Sequence, residues 1–84
     1  MEIFFTARFP RSYNKLPVDV QDDVQSAVEK FKQKSDHGTL KLHKLHGKMK
    51  KYHAFSANFS YRVIIKMEKQ SVNYMDVGDH AIYE

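Results

Sequence analysis

Cysteine is absent from the 84 residues, and glycine and proline are scarce, at three and two. Without cysteine there is no disulfide, no thiolate metal site and no cysteine nucleophile, so packing and hydrogen bonds must hold the fold, which suits a reducing cytoplasm. No glycine-rich phosphate loop, serine elbow or paired-carboxylate constellation is present. Long apolar runs are missing too. Near the N-terminus the longest is Ile3-Phe4-Phe5, far short of the roughly 7 to 15 residues of a signal-peptide core or the roughly 20 of a spanning helix. With no repeat, linker or low-complexity tract, the chain predicts one small soluble domain over residues 1–84.

The most informative absence is local. Residues 37–67 contain no Asp or Glu but hold Lys41, Lys44, Lys48, Lys50, Lys51, Arg62 and Lys66, a charge of +7 with His neutral. The whole chain carries +4, so the remainder sums to −3. Four of the five histidines, His37, His43, His46 and His53, fall in the same stretch. Ordinary surfaces mix both signs, and a long acid-free segment favours a polyanionic partner over a merely solvated face.

Apolar periodicity divides the chain in two. Ile3 to Phe5 reads as a short, largely buried strand. Phe9, Tyr13 and Leu16 lie at i, i+4 and i+7, a short first helix in which Pro10 must occupy the first turn. Pro17 ends it and opens a second helix from about Val18 to Lys34, with Val20, Val24, Ala27 or Val28, and Phe31 inward. Asp19, Asp22 and Asp23 complement its positive end, and Lys30, Lys32 and Lys34 its negative end. From Thr39 the period becomes two: Leu40 to His43, Tyr52 to Phe59, Tyr61 to Met67 and Ser71 to Val77 read as an antiparallel meander with turns at Gly47, Asn58 and Lys69-Gln70. In the third of these, Tyr61, Val63, Ile65 and Met67 face one way and Arg62, Ile64 and Lys66 the other. The order β-α-α-β-β-β-β predicts an α+β fold, with two N-terminal helices packed on a twisted, mainly antiparallel sheet.

Four short motifs, in order and at characteristic spacings, carry a resemblance: Tyr13-Asn14-Lys15-Leu16-Pro17 before the long helix, Lys44-Leu45-His46-Gly47, Tyr61-Arg62-Val63-Ile64-Ile65, and Val77-Gly78-Asp79-His80 leading to Tyr83. The set resembles the RelE/ParE superfamily of toxins from bacterial toxin-antitoxin systems, over nearly the whole chain. The resemblance implies a cognate antitoxin, with an acidic or amphipathic segment laid over helices and sheet in a hetero-oligomer. It also implies one of two targets: mRNA in the ribosomal A site, cut by RelE-, YoeB- and YafQ-like members, or DNA gyrase, poisoned by ParE-like members. A member that only binds its antitoxin is a third possibility. One residue follows Tyr83, so the extra C-terminal helix of some relatives is not expected.

Metal-free RNA cleavage sends the ribose 2′-hydroxyl onto the adjacent phosphorus, which requires a base, an acid and a cation for the developing charge. Imidazole serves as acid or base near neutrality, and guanidinium binds phosphoryl oxygens bidentately. The resemblance implies that Arg62 stabilises the transition-state phosphate, that His80 is the histidine of the nuclease members, and that Tyr83 is the C-terminal aromatic that stacks on a base or bonds a phosphate. It places His43 where YafQ-like members carry a histidine before the glycine turn, and His53 where the RelE branch has a lysine. Phe55 departs from that branch, which has a second lysine there, and Ser56 and Ser60 replace a histidine and an aspartate of YafQ-like members. Lys41, Lys44, Lys48, Lys50 and Lys51 are expected to grip mRNA or rRNA phosphates. No metal or other cofactor is expected, because His43 and His46 read as pointing to opposite faces with no carboxylate or thiolate beside them.

Overall fold

A computed structural model describes residues 2–33, 38 and 40–79. The strands and helices are β1 (Glu2–Phe5), α1 (Arg8–Asn14), α2 (Val18–Lys32), β2 (His43–Lys44), β3 (His53–Ser56), β4 (Arg62–Met67) and β5 (Ser71–Gly78), with a 3-10 turn at Gly47–Met49 between β2 and β3. The sheet order is β1-β5-β4-β3-β2. β2 to β5 form the predicted antiparallel meander, and β1 adds to β5 in parallel. No helix is long and apolar enough to cross a membrane among the described residues.

Both helices start where local chemistry permits. Thr6 accepts the Phe9 N–H on its hydroxyl oxygen and donates to the Met75 carbonyl at 2.8 Å, which ties the entry of α1 to β5. Pro17 precedes the first residue of α2, and its carbonyl accepts the Gln21 N–H at 2.9 Å. Val20, Val24, Ala27 and Phe31 then form the buried stripe, as the 3.6-residue spacing requires. Lys34, the predicted end of α2, lies outside the described residues.

The main core lies between the helices and one sheet face, where Phe9, Val24 and Phe31 meet Phe55, Val63, Ile65, Val72, Tyr74 and Val77. Val72 and Tyr74 alternate normally, but Val77 is three residues beyond Tyr74. A bulge opposite Ile64 and Ile65 supplies the extra residue that returns Val77 to the helix side. The opposite face has a smaller core of Leu45, Ala54 and Ile64 covered by Met49, Tyr52 and Met75. Ile64 is therefore buried on the face it shares with Arg62 and Lys66, because the 3-10 turn folds over it. Gly47 makes that fold possible with φ +66, a conformation that costs an L-residue about 1–2 kcal/mol.

Two expectations are corrected. β1 is not largely buried: Ile3, Phe4 and Phe5 are 38%, 48% and 55% exposed. Composition marks a strand but not its place in the sheet, and β1 takes an edge with one hydrogen-bonded neighbour. The strand predicted over Leu40 to His43 is reduced to His43–Lys44, since Lys41 has a positive φ of 55 that breaks extended backbone.

Tyr74 is the hub of the aromatic core, with ring centroids 4.9 Å from Phe5 and 5.6 Å from Phe9. Its hydroxyl is buried without a hydrogen-bond partner among the described residues. Burial first, and then the Glu29 carboxylate, push its pKa up to about 12 from the ordinary 10.0. The folded state thus holds the proton more tightly than the unfolded chain. Any stability from this difference is intact below pH 10 and is lost as pH rises towards about 12. Tyr74→Phe is expected to be neutral or stabilising at pH 7 by thermal denaturation, since an unpaired donor is removed, and to show a weaker stability loss above pH 10.

Candidate active site

The bend between β3 and β4 forms one wall of a polar cleft of about 460 Å³, lined by Lys30, Leu40, Lys41, Ser56, Ala57, Asn58, Phe59 and Arg62. Arg62 opens β4, where it pairs with Ser56 on one side and Gly78 on the other. Its Nη1 donates to the carbonyls of Asn58 at 2.9 Å, Tyr61 at 3.1 Å and Phe59 at 3.2 Å. The guanidinium thereby clamps the bend, and the bend holds the guanidinium at the cleft. Asn58 completes the lock: its Oδ1 accepts the Ser60 and Tyr61 N–H groups, and its Nδ2 donates to Asp23 of α2, each at 2.9 Å.

Among the described residues the ion pairs are Arg8–Asp76, Lys32–Glu29 and Lys66–Glu68. None involves Arg62, Lys30 or Lys41, so the cleft joins three cations from separate elements that have no ion-pair partner among the described residues. Such a site attracts phosphate and binds it in a salt-dependent way.

Lys41 occupies its left-handed conformation at the cleft wall, and its carbonyl lies 2.8 Å from His43 Nδ1. A carbonyl only accepts, so this bond requires the proton on Nδ1, which leaves Nε2 with its lone pair. Lys41→Gly is expected to leave thermal stability unchanged or raised by up to about 1 kcal/mol, because glycine adopts this conformation without strain.

The alternation of strands sorts the other candidates. Ala54, Ser56, Arg62 and Ile64 share one face; His53, Phe55, Val63 and Ile65 share the helix face. His53 is therefore separated from Arg62 by the sheet, with Lys44 as its neighbour on β2. Its Nδ1 is buried and lacks a hydrogen-bond partner among the described residues. His43, opposite Ala54, lies on the Arg62 face, two strands across and two residues along. That offset is about 12 Å between Cα atoms at ordinary strand spacing and rise.

Lys41, Lys44, Lys48, Lys50 and Lys51 are all exposed, and Lys41 alone of the five lines the cleft. His80 and Tyr83 lie outside the described residues. Among the described residues no group of three His, Cys, Asp or Glu is placed to hold a metal ion. The sequence reading missed Lys30, which looked like a helix-end cation, and Asn58 and Phe59, which looked like a turn and the end of a strand. Only an aromatic set beside a turn asparagine signalled that Phe59 had an unusual place.

No protein-family model and no curated protein sequence matches the chain. Solved structures do. A YoeB/ParE toxin from Agrobacterium tumefaciens superposes with a TM-score of 0.74 at 15% identity, over 95% of this chain and 99% of that one. A YafQ variant from E. coli gives 0.73 at 15% identity, over 98% and 96%. YafQ in the E. coli DinJ-YafQ toxin-antitoxin complex gives 0.69 at 15% identity, over 96% and 93%. The likeness is one of fold: two helices packed on a mainly antiparallel five-stranded sheet, shared with these YafQ and YoeB/ParE toxin structures.

Proposed function

We propose that the chain is the toxin of a bacterial toxin-antitoxin pair, a ribosome-dependent endoribonuclease that halts translation by cutting mRNA without a metal ion. One observation carries this reading: Arg62, Lys30 and Lys41 line a single cleft without an ion-pair partner among the described residues, beside His43, whose Nδ1 bonds the Lys41 carbonyl and whose neutral ring then presents Nε2. Arg62 and Lys41 would neutralise the phosphate as the 2′-oxygen adds to phosphorus. His43 Nε2 takes the 2′-hydroxyl proton, across a separation that two long side chains can span around one phosphodiester. His80 supplies a proton to the departing 5′-oxygen; it follows by two positions Gly78, the partner of Arg62 in the sheet. Tyr83 stacks on a base or bonds a phosphate. His53, across the sheet, has no step in this scheme. Lys44, Lys48, Lys50 and Lys51 add sequence-independent phosphate contacts outside the cleft.

Action on ribosomes places the protein in the cytoplasm. The partner that restrains it is a cognate antitoxin, as in the DinJ-YafQ complex. An apolar groove of about 610 Å³ between Phe5, Phe9, Tyr13, Val24 and Val28 suits an amphipathic segment of that partner. In vitro translation is the direct test. Added protein is expected to stop synthesis and leave mRNA fragments ending in 2′,3′-cyclic phosphate; intact mRNA after addition of folded protein would refute the nuclease. A gyrase poison is the competing reading, favoured by the place of His53 on the opposite sheet face and by the two-strand offset between His43 and Arg62. It predicts blocked supercoiling with translation unaffected.

A further inference from the structure

We propose that Phe59 is the stacking platform for one unpaired base of the RNA strand held in the cleft, an inference that rests on the nuclease reading above. Phe59 is 91% exposed and lines the cleft with Lys30, Lys41 and Arg62. An exposed apolar side chain by itself is ordinary. This one differs in two respects.

First, the backbone that carries it is pinned. Asn58 Oδ1 accepts the Ser60 and Tyr61 N–H groups, Asn58 Nδ2 donates to Asp23, and Arg62 donates to the carbonyl of Phe59 itself at 3.2 Å. In a turn fixed at so many points little backbone entropy remains to be lost when a ligand settles on the ring. Second, Phe59 shares the cleft lining with three cations from three separate segments. A lone cationic cleft binds any anion. Cations beside an open aromatic face match a polymer that carries a phosphate and a flat base in every unit, and single-strand binders combine these two features. The guanidinium that contacts the phosphate is also the group that pins the turn carrying Phe59, so phosphate and base would be read by one element.

The probe is a short, fluorescein-labelled single-stranded RNA, 2′-O-methylated throughout so that no 2′-hydroxyl is left to attack. A matched series carries one abasic position at a time. Binding is followed by anisotropy at several salt concentrations, and circular dichroism confirms that each variant is folded. Phe59→Leu is expected to weaken binding roughly 5- to 100-fold with an unchanged salt slope, whereas Phe59→Tyr stays within about 2-fold of the parent protein. Lys41→Ala is expected to weaken binding and flatten the salt slope. One abasic position should weaken binding by the parent protein as much as Phe59→Leu does, and should weaken Phe59→Leu no further.

Parent-like affinity in Phe59→Leu, with Lys41→Ala impaired, overturns the stacking role and leaves the nuclease reading standing. Independent, additive losses from the abasic position and Phe59→Leu overturn it as well. A parent protein with no affinity for the RNA overturns the stacking platform, while the nuclease reading stands or falls by the translation assay.

Discussion

Arg62→Ala is expected to lower mRNA cleavage on programmed ribosomes by at least about 100-fold, the usual cost of losing one preorganised group that meets charge developing in the transition state. The side chain has a second task, since its Nη1 holds three carbonyls of the β3–β4 bend. Alanine removes both at once, so the variant must be read beside Arg62→Lys. Lysine keeps the charge but lacks the planar fork, and it cannot reproduce both the clamp and a two-point grip on phosphate. Single-turnover cleavage and thermal denaturation separate the two tasks. A loss of rate in Arg62→Lys with little change in melting temperature assigns the effect to phosphate; parallel losses assign it to the bend. Undiminished cleavage by Arg62→Ala would remove Arg62 from the chemistry.

The largest structural effect is expected from Phe55→Ala. Phe55 is fully buried. Its ring stacks on Phe31 with centroids 4.8 Å apart and meets Tyr74 edge-on at 6.5 Å. Truncating a buried phenylalanine costs about 3–5 kcal/mol, from lost transfer energy and the cavity left behind. A domain of this size has only about 4–13 kcal/mol in total, so the melting temperature should fall by roughly 15–30 °C. Circular dichroism checks this directly. Phe55→Leu, which keeps most of the volume, should recover more than half of the loss. A Phe55→Ala protein as stable as the parent would contradict the packing between α2 and the sheet.

Phe55 also shows how much the sequence could tell. The resemblance set it against a lysine of the RelE branch, whereas here the position is the centre of the main core. α2 and β4 were legible because each buries a regular stripe, at 3.6 and at two residues. The rank of a strand was not. Nothing in Ile3-Phe4-Phe5 says that it takes an edge, and nothing around Ile64 says that a distant turn covers it. His53 and Arg62 are nine positions apart, and whether they share a face depends on the β3–β4 register, which hydrophobic alternation leaves free by whole steps. Arg62 and Lys41 were visible as cations in an acid-free stretch. Their cleft was not, because Lys30 joins it from α2 and Asn58 and Phe59 join it from a bend that fixes its shape only after folding.

The parallel pairing of β1 has a consequence for the order of assembly. Among the described residues β1 has no strand neighbour except β5, so Glu2 waits for Ser71, and Arg62 likewise waits for Gly78. A nascent copy leaves the exit tunnel with its first strand unmatched, and the central contacts close only when the last strand has emerged. Long-range pairing of this kind is slow to form. If the target is the translating ribosome, a molecule becomes able to attack only after β5 has cleared the ribosome that is making it.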